Sequence, residues 1–201
     1  NQQLGKRKKG FLFSIRDKLK KMCGHPSLLG VGDTSTTVKI YDPMYENAKI
    51  KKFIELFQKE PDKRWLFFSY RRAVLDIVEK HLDKHNISHL RYDGKMNHKQ
   101  KDETYQKFTH ADSKTSVLLI TLKCGGTGLN LSSATRLVIF DVWDNPNVES
   151  QALNRAYRKL TQKCDVHAHV LIMDQTIEQD IQLIQSKKRE LSFLALHAFD
   201  Q

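Results

Sequence analysis

An α/β fold built on a parallel sheet is the architecture this sequence predicts, and three observations predict it. Five short apolar runs alternate with stretches of helical periodicity along most of the 201 residues. The runs are continuously apolar, as in Trp65-Leu66-Phe67-Phe68 and Val117-Leu118-Leu119-Ile120, which fits strands covered on both faces. The intervening helices run about ten to fifteen residues, the length of a right-handed crossover between parallel strands. Additional helices are expected at both ends of the chain, outside the sheet-forming region.

The elements follow in order. Phe11, Ile15, Leu19 and Met22 recur at three- and four-residue spacing and predict an amphipathic helix ending near Cys23 and Gly24. Residues 30–42 are rich in Gly, Thr, Ser and Asp and read as a linker. Ala48 to Phe57 is helical by periodicity, and Arg64 to Ser69 is a buried strand. Val74, Ile77, Val78 and Leu82 mark a helix, Ser88 to Tyr92 a strand closed by the Asp93-Gly94 turn, and Asn97 to Phe108 a polar helix. The third and fourth strands are Val117–Ile120 and Leu137–Phe140. A helix is expected from Val148 to Lys159, a fifth strand from Ala168 to Met173, and a long final helix from Ile177 to Leu196. The organisation this implies is a basic segment, helix and linker over 1–43, an α/β lobe over 44–175 and a terminal helix over 176–201.

Composition narrows the function classes. No apolar run approaches the ~18–20 residues of a membrane-spanning helix, and the opening residues are polar and basic, so a soluble intracellular protein without a signal peptide is expected. The three cysteines include no C-x-x-C pair, which argues against a disulfide framework or a structural zinc site. Cys23-Gly24-His25 fits half a metal site or, more simply, a helix end before the turn at Pro26. The formal net charge is +11, but residues 1–21 carry eight Lys or Arg against one acid, which leaves +4 for the other 180. Such a run contacts phosphates, serves as a nuclear address or is simply solvated; the total charge is weak evidence for nucleic acid.

In parallel α/β sheets, sites form in the loops at the carboxyl ends of the strands. Three loops qualify: Ser69-Tyr70, Asp93-Gly94, and the stretch after Ile120. The last, Thr121 to Leu131, places Gly125, Gly126 and Gly128 within four positions beside Lys123. Glycines let a backbone approach a ligand closely, and backbone N–H groups there can cradle phosphate oxygens. A tight strand-to-helix connection has the same composition. The G-x-x-x-x-G-K-[ST] spacing of a nucleotide-binding loop occurs nowhere in the chain, and no acidic magnesium-holding motif follows a buried strand. Further on, Gln151, Arg155 and Arg158 are spaced by four and three residues and share one helix face, while Ala152, Leu153 and Ala156 lie off that stripe. Two guanidiniums side by side form an anion clamp, although the spacing alone reads more simply as a solvated basic stripe.

Taken together and in order, these stretches resemble the C-terminal lobe of SWI/SNF-type ATPases of helicase superfamily two. The similarity rests on Lys20 to Pro26 (a helix ending in Cys-x-His-Pro), Arg64 to Ser69 (motif IV), Leu90 to Gly94, Thr121 to Leu131 (motif V) and Gln151-x-x-x-Arg155-x-x-Arg158 (motif VI). It implies a RecA-like sheet. It also implies that Arg155 and Arg158 are arginine fingers for ATP and Mg²⁺ held by a separate first lobe, with Gln151 at that contact and Gly125, Gly126 and Gly128 lining the cleft between lobes. Thr121, Lys123, Asp93 and Gly94 would touch the backbone of double-stranded DNA. The implied activity is that of an ATP-dependent DNA translocase in chromatin remodelling or DNA repair, nuclear, acting on duplex DNA including nucleosomes, with the isolated chain inactive. A degenerate lobe serving as a scaffold and an RNA helicase lobe are the alternatives. Departures from the family pattern are Asp144, where Trp usually precedes Asn-Pro, and Asn154-Arg155-Ala156-Tyr157-Arg158-Lys159-Leu160, which lacks the usual acid, histidine and glycine.

Overall fold

The computed structural model describes residues 2–29, 42–110, 112–125, 129–157 and 165–197. Strands β1 (Trp65–Ser69), β2 (His89–Tyr92), β3 (Val117–Thr121), β4 (Arg136–Ile139) and β5 (His167–Val170) form one sheet in the order β2-β3-β1-β4-β5. Every neighbouring pair is parallel, with Phe67 opposite both Leu119 and Val138. The helices are α1 (Gln2–Gly24), α2 (Ala48–Lys59), α3 (Arg72–Lys84), α4 (His98–Thr109), the one-turn α5 (Leu122–Gly125), α6 (Pro146–Ala156) and α7 (Ile177–His197), with a 3₁₀ turn at Pro26–Leu29.

The continuous apolar strands fill two cores, one on each face of the sheet. Trp65, Phe67, Leu119 and Val138 pack with Ile50 and Phe53 of α2 and Val74, Leu75 and Val78 of α3. Their alternate neighbours Leu66, Phe68, Leu118 and Ile139 pack on the opposite face with Phe108 of α4 and Ala152 of α6. Side chains alternate faces along a strand, so a strand buried on both sides must be apolar at every position. The outer strand β5 is largely exposed and has one neighbour, β4, whose own length limits the pairing; it is accordingly shorter than the Ala168–Met173 span expected from sequence.

Helix starts are chemically marked. Asn47 caps α2 by accepting from the Ile50 amide at 2.9 Å, and its side-chain amide donates to the Gly24 carbonyl at the end of α1. Asn97 and Gln100 form a reciprocal capping box at the start of α4. His25 is buried in the turn between: its Nε2 donates to the Tyr45 carbonyl at 2.8 Å, so Nδ1 is the acceptor facing the Ser27 hydroxyl at 2.7 Å. Burial holds this imidazole below its ordinary pKa. The Cys-x-His-Pro stretch is thus a helix end stitched to the next segment.

Helix α1 forms where periodicity placed it but faces the other way. Phe11, Leu19 and Met22 are exposed, with Phe11 at 67%. Its inward side carries Arg16, Asp17 and Lys20, which pair with Asp144, Arg71 and Asp144 respectively. Charge complementarity rather than apolar burial sets its orientation. At its far side α7 is anchored by Glu178, which forms a buried ion pair with Lys49 at 2.6 Å and accepts from the Met173 amide at 2.9 Å; the Lys49 ammonium also donates to the Phe140 carbonyl at 2.7 Å.

Candidate nucleic-acid interface

The carboxyl ends of β1, β2 and β3 converge on a concavity of about 460 Å³. Lys21 of α1, Arg71 and Arg72 after β1, and Lys123 after β3 line it, together with Thr121 and Gly94. Four cations line the groove, and although Lys21 and Arg71 both pair with Asp17 beside it, the excess of positive charge suits the oxygens of a phosphodiester backbone. Thr121 ends β3 opposite Ser69 and is buried, whereas Lys123 is exposed and stands 5.4 Å from the Tyr70 ring centre. Arg71 donates to Asp17 at 2.5 Å, which fixes it against α1.

Gly94 borders this groove, while Asp93 beside it builds the turn. The Asp93 carboxylate is only 3% exposed and accepts from the Lys95 amide and from Arg91 Nε, both at 2.8 Å. Burial works against its charge, but the Lys95 amide and the Arg91 guanidinium outweigh it and hold the acid below its ordinary pKa. Arg91 in turn reaches Glu79 at 2.8 Å and Asp76 at 2.5 Å, so this arginine is a fully employed strut.

The stretch after β3 is not loop throughout: it makes one helical turn, α5, through Gly125. Gly126 and Gly128 lie outside the described residues, as does Arg158. Helix α6 carries Gln151, which is exposed, and Arg155, which is half-buried, one turn apart on a single face. It runs to Ala156, with Tyr157 extended at φ −96° and ψ 114°; residues 158 and 159 of the expected span lie outside the described residues. The carbonyl of Arg155 accepts from the Leu131 amide at 3.0 Å, so a last-turn acceptor of the helix has a tertiary partner. The same bond joins the glycine-rich stretch to the arginine helix.

A scan against protein families places the helicase conserved C-terminal domain over residues 48–160, more than half of the chain and all of the elements from α2 to α6. The chain belongs to that family. Among curated relatives it is 34% identical to the DNA repair protein RAD5 of Cryptococcus neoformans over 83% of this chain and 14% of that protein. It is 31% identical to the ISWI chromatin-remodeling complex ATPase ISW1 of Saccharomyces cerevisiae over 95% of this chain and 17% of that protein. It therefore spans only a small part of the relatives it matches. The solved C-terminal part of the Fun30 ATPase domain superposes with a TM-score of 0.67 at 28% identity, covering 83% of this chain and 53% of that one. The fold is thus the RecA-like second lobe of SWI/SNF-type ATPases, as the motif order implied.

Within this helicase C-terminal lobe the structure brings Thr121, Lys123 and Gly94 together and sets Arg155 on a separate helix. Sequence reasoning had Lys21 only as part of the basic run over residues 1–21, and missed Arg71 and Arg72. The available signal was the Arg71-Arg72 pair directly after a buried strand, in a loop already marked by its position at a carboxyl end. It also missed the loop after β4. There Tyr70 and Trp143 stack with ring centres 3.6 Å apart and planes 17° from parallel, and Lys20 lies 4.3 Å from the centre of the indole. Asp141 accepts from the Tyr70 amide at 2.9 Å and from the Ser69 hydroxyl, tying the loop to β1. Among the described residues no cluster of three or more His, Cys, Asp or Glu side chains is arranged for a metal, and no helix is long and apolar enough to cross a membrane.

Proposed function

We propose that this chain is the second motor lobe of an ATP-dependent translocase on double-stranded DNA, of the chromatin-remodelling or DNA-repair kind. The observation that carries the proposal is the groove in which Lys21, Arg71, Arg72 and Lys123 surround Thr121 and Gly94 at the carboxyl ends of the strands. Such a groove holds phosphates without reading bases, as a motor that moves along any sequence requires. Asp93 supports it by fixing the turn. In this reading the nucleotide is ATP with Mg²⁺, held by a first lobe that supplies the phosphate loop and the acidic metal motif this sequence lacks. Arg155 and Arg158 reach that ATP as fingers, Gln151 attends the same contact, and Gly125, Gly126 and Gly128 line the cleft between lobes. The site of action is the nucleus, with nucleosomes among the substrates.

The test joins this chain to a first lobe and measures ATP hydrolysis with and without duplex DNA. Arg155→Ala and Arg158→Ala are each expected to lower stimulated turnover by about 10³-fold, the usual worth of an arginine finger. Unchanged turnover in both variants removes the finger assignment. Alone, the chain is expected to show no ATPase and to bind duplex with an affinity that falls steeply with salt. The altered residues around Arg155 favour one second reading, a DNA-binding scaffold without a motor; duplex binding that persists while the joined lobes never hydrolyse ATP would select it.

A further inference from the structure

We propose that helices α1 and α7 together form a docking groove for an acidic amphipathic helix of a partner protein. The outward stripe of α1 is the starting point. Phe11, Ile15, Leu19 and Met22 are between 39% and 67% exposed, although their three- and four-residue spacing is that of a buried helix face. Helix α7 repeats the pattern, with Ile184, Leu191 and Leu194 between 40% and 65% exposed. Ile177, Asp180, Ile184, Lys187, Leu191 and Leu194 follow one another at alternating steps of three and four residues, the spacing of a coiled-coil seam. On α1, Phe11, Ile15, Lys18 and Met22 keep the same alternation. Single exposed apolar residues are ordinary, but two such stripes on touching helices mark an interaction surface.

The two stripes adjoin. Both helices reach Asp144: Lys20 of α1 donates to its carboxylate and Lys188 of α7 to its carbonyl, each at 2.9 Å. At the end of α1, Leu19, Met22 and Cys23 share a concavity of about 550 Å³ with Ile177 and Asp180 at the start of α7. The helices therefore run past one another in opposite senses, and the groove between them opens beside residues of both seams. A third helix with apolar residues at the same spacing fits such a groove, its side chains entering holes walled from both sides. Charge selects the occupant. Residues 1–21 carry eight Lys or Arg against one acid, Lys18 and Lys187 stand within the seams themselves, and Lys188 and Arg189 follow. A second copy of this chain brings the same excess of cations to the contact, whereas a helix flanked by Glu or Asp neutralises it. The apolar seams, in turn, suit a protein rather than a phosphate backbone. The concavity shares no lining residue with the cationic groove, so the docking site stands or falls separately from the translocase reading.

The experiment titrates the full chain into two labelled synthetic peptides, each at a concentration where it is monomeric, and reads binding by fluorescence anisotropy. Both peptides carry Leu and Ile at the seam positions of a heptad; one has Glu at the flanking positions and the other Lys. The Glu-flanked peptide is expected to bind at least about tenfold more tightly at low salt, with the gap closing at high salt. Phe11→Ser combined with Leu191→Ser removes one apolar side chain from each seam and is expected to weaken that binding at least about tenfold while duplex DNA affinity stays within about twofold. Lys18→Glu combined with Lys187→Glu is expected to reverse the preference toward the Lys-flanked peptide, a gain that a misfolded variant does not show. The proposal is overturned if neither peptide binds, if both bind equally, if the serine variant binds the Glu-flanked peptide as wild type does, or if the charge-reversed variant keeps the wild-type preference. Dimers in sedimentation that the serine variant abolishes and the Glu-flanked peptide leaves intact would overturn it in favour of a second copy. Loss of duplex affinity in place of peptide affinity in the serine variant would assign the face to DNA and overturn it as well.

Discussion

Lys49 and Glu178 are deeply buried charges, 2% and 3% exposed respectively. Their mutual pairing and the bonds to the Phe140 carbonyl and Met173 amide compensate their desolvation. Lys49→Met leaves a buried carboxylate without its counter-ion and is expected to cost about 3–5 kcal/mol in urea unfolding, whereas replacing both partners by apolar residues should cost much less. Glu149 differs in sign. Burial raises its pKa above the ordinary value, against the Trp143 amide and Gln185. Between the ordinary value and the raised one the native state binds more protons than the unfolded state, so this carboxyl's contribution is present at low pH and is lost as pH rises through the raised value. Glu149→Gln keeps an acceptor for both donors and removes the titration. It is expected to flatten that part of the stability–pH curve and to be at least as stable as wild type at pH 7; a marked loss there would show that the ionised form is the stabilising one. None of these roles was legible in the sequence, because a buried lysine or glutamate looks the same in one dimension as a solvated one. That Thr121, Lys123 and Gly94 stand at the carboxyl ends of strands was legible, because the ends of continuous apolar runs mark the loops.

At the scale of elements, the three central strands and the helices on them were legible to within a residue or two, since double-sided burial leaves a continuous apolar run. Three elements are exceptions. β5 is limited by its single partner, α6 gives way to extended backbone at Tyr157, and α1 is turned by its charges, so its apolar stripe misreports its buried side. The α1 contact yields a prediction. Asp144 receives both Arg16 and Lys20 at partly exposed positions, a geometry worth about 0.5–1 kcal/mol that salt will screen. Asp144→Ala is expected to speed amide exchange in residues 12–22 by about two- to fivefold at low salt, with the difference shrinking at high salt. Exchange that is unaffected would mean that Cys23 and the Asn47 tie hold the helix without help.

For the molecule as a whole, the buried pair redraws the unit that folds. The family match ends at residue 160, and the sheet is complete at Val170, yet the counter-ion of Lys49 on the second helix arrives only at Glu178. A chain stopped before Ile177 would keep all five strands and every residue lining the cationic groove, and still carry a bare ammonium in its interior. It is expected to unfold in urea earlier than the longer chain by about 3–5 kcal/mol, and Lys49→Met is expected to recover part of that loss in the short chain while harming the long one. The start of α7 is thus expected to belong to the cooperative core, and one substitution with opposite effects on two chain lengths would reveal it.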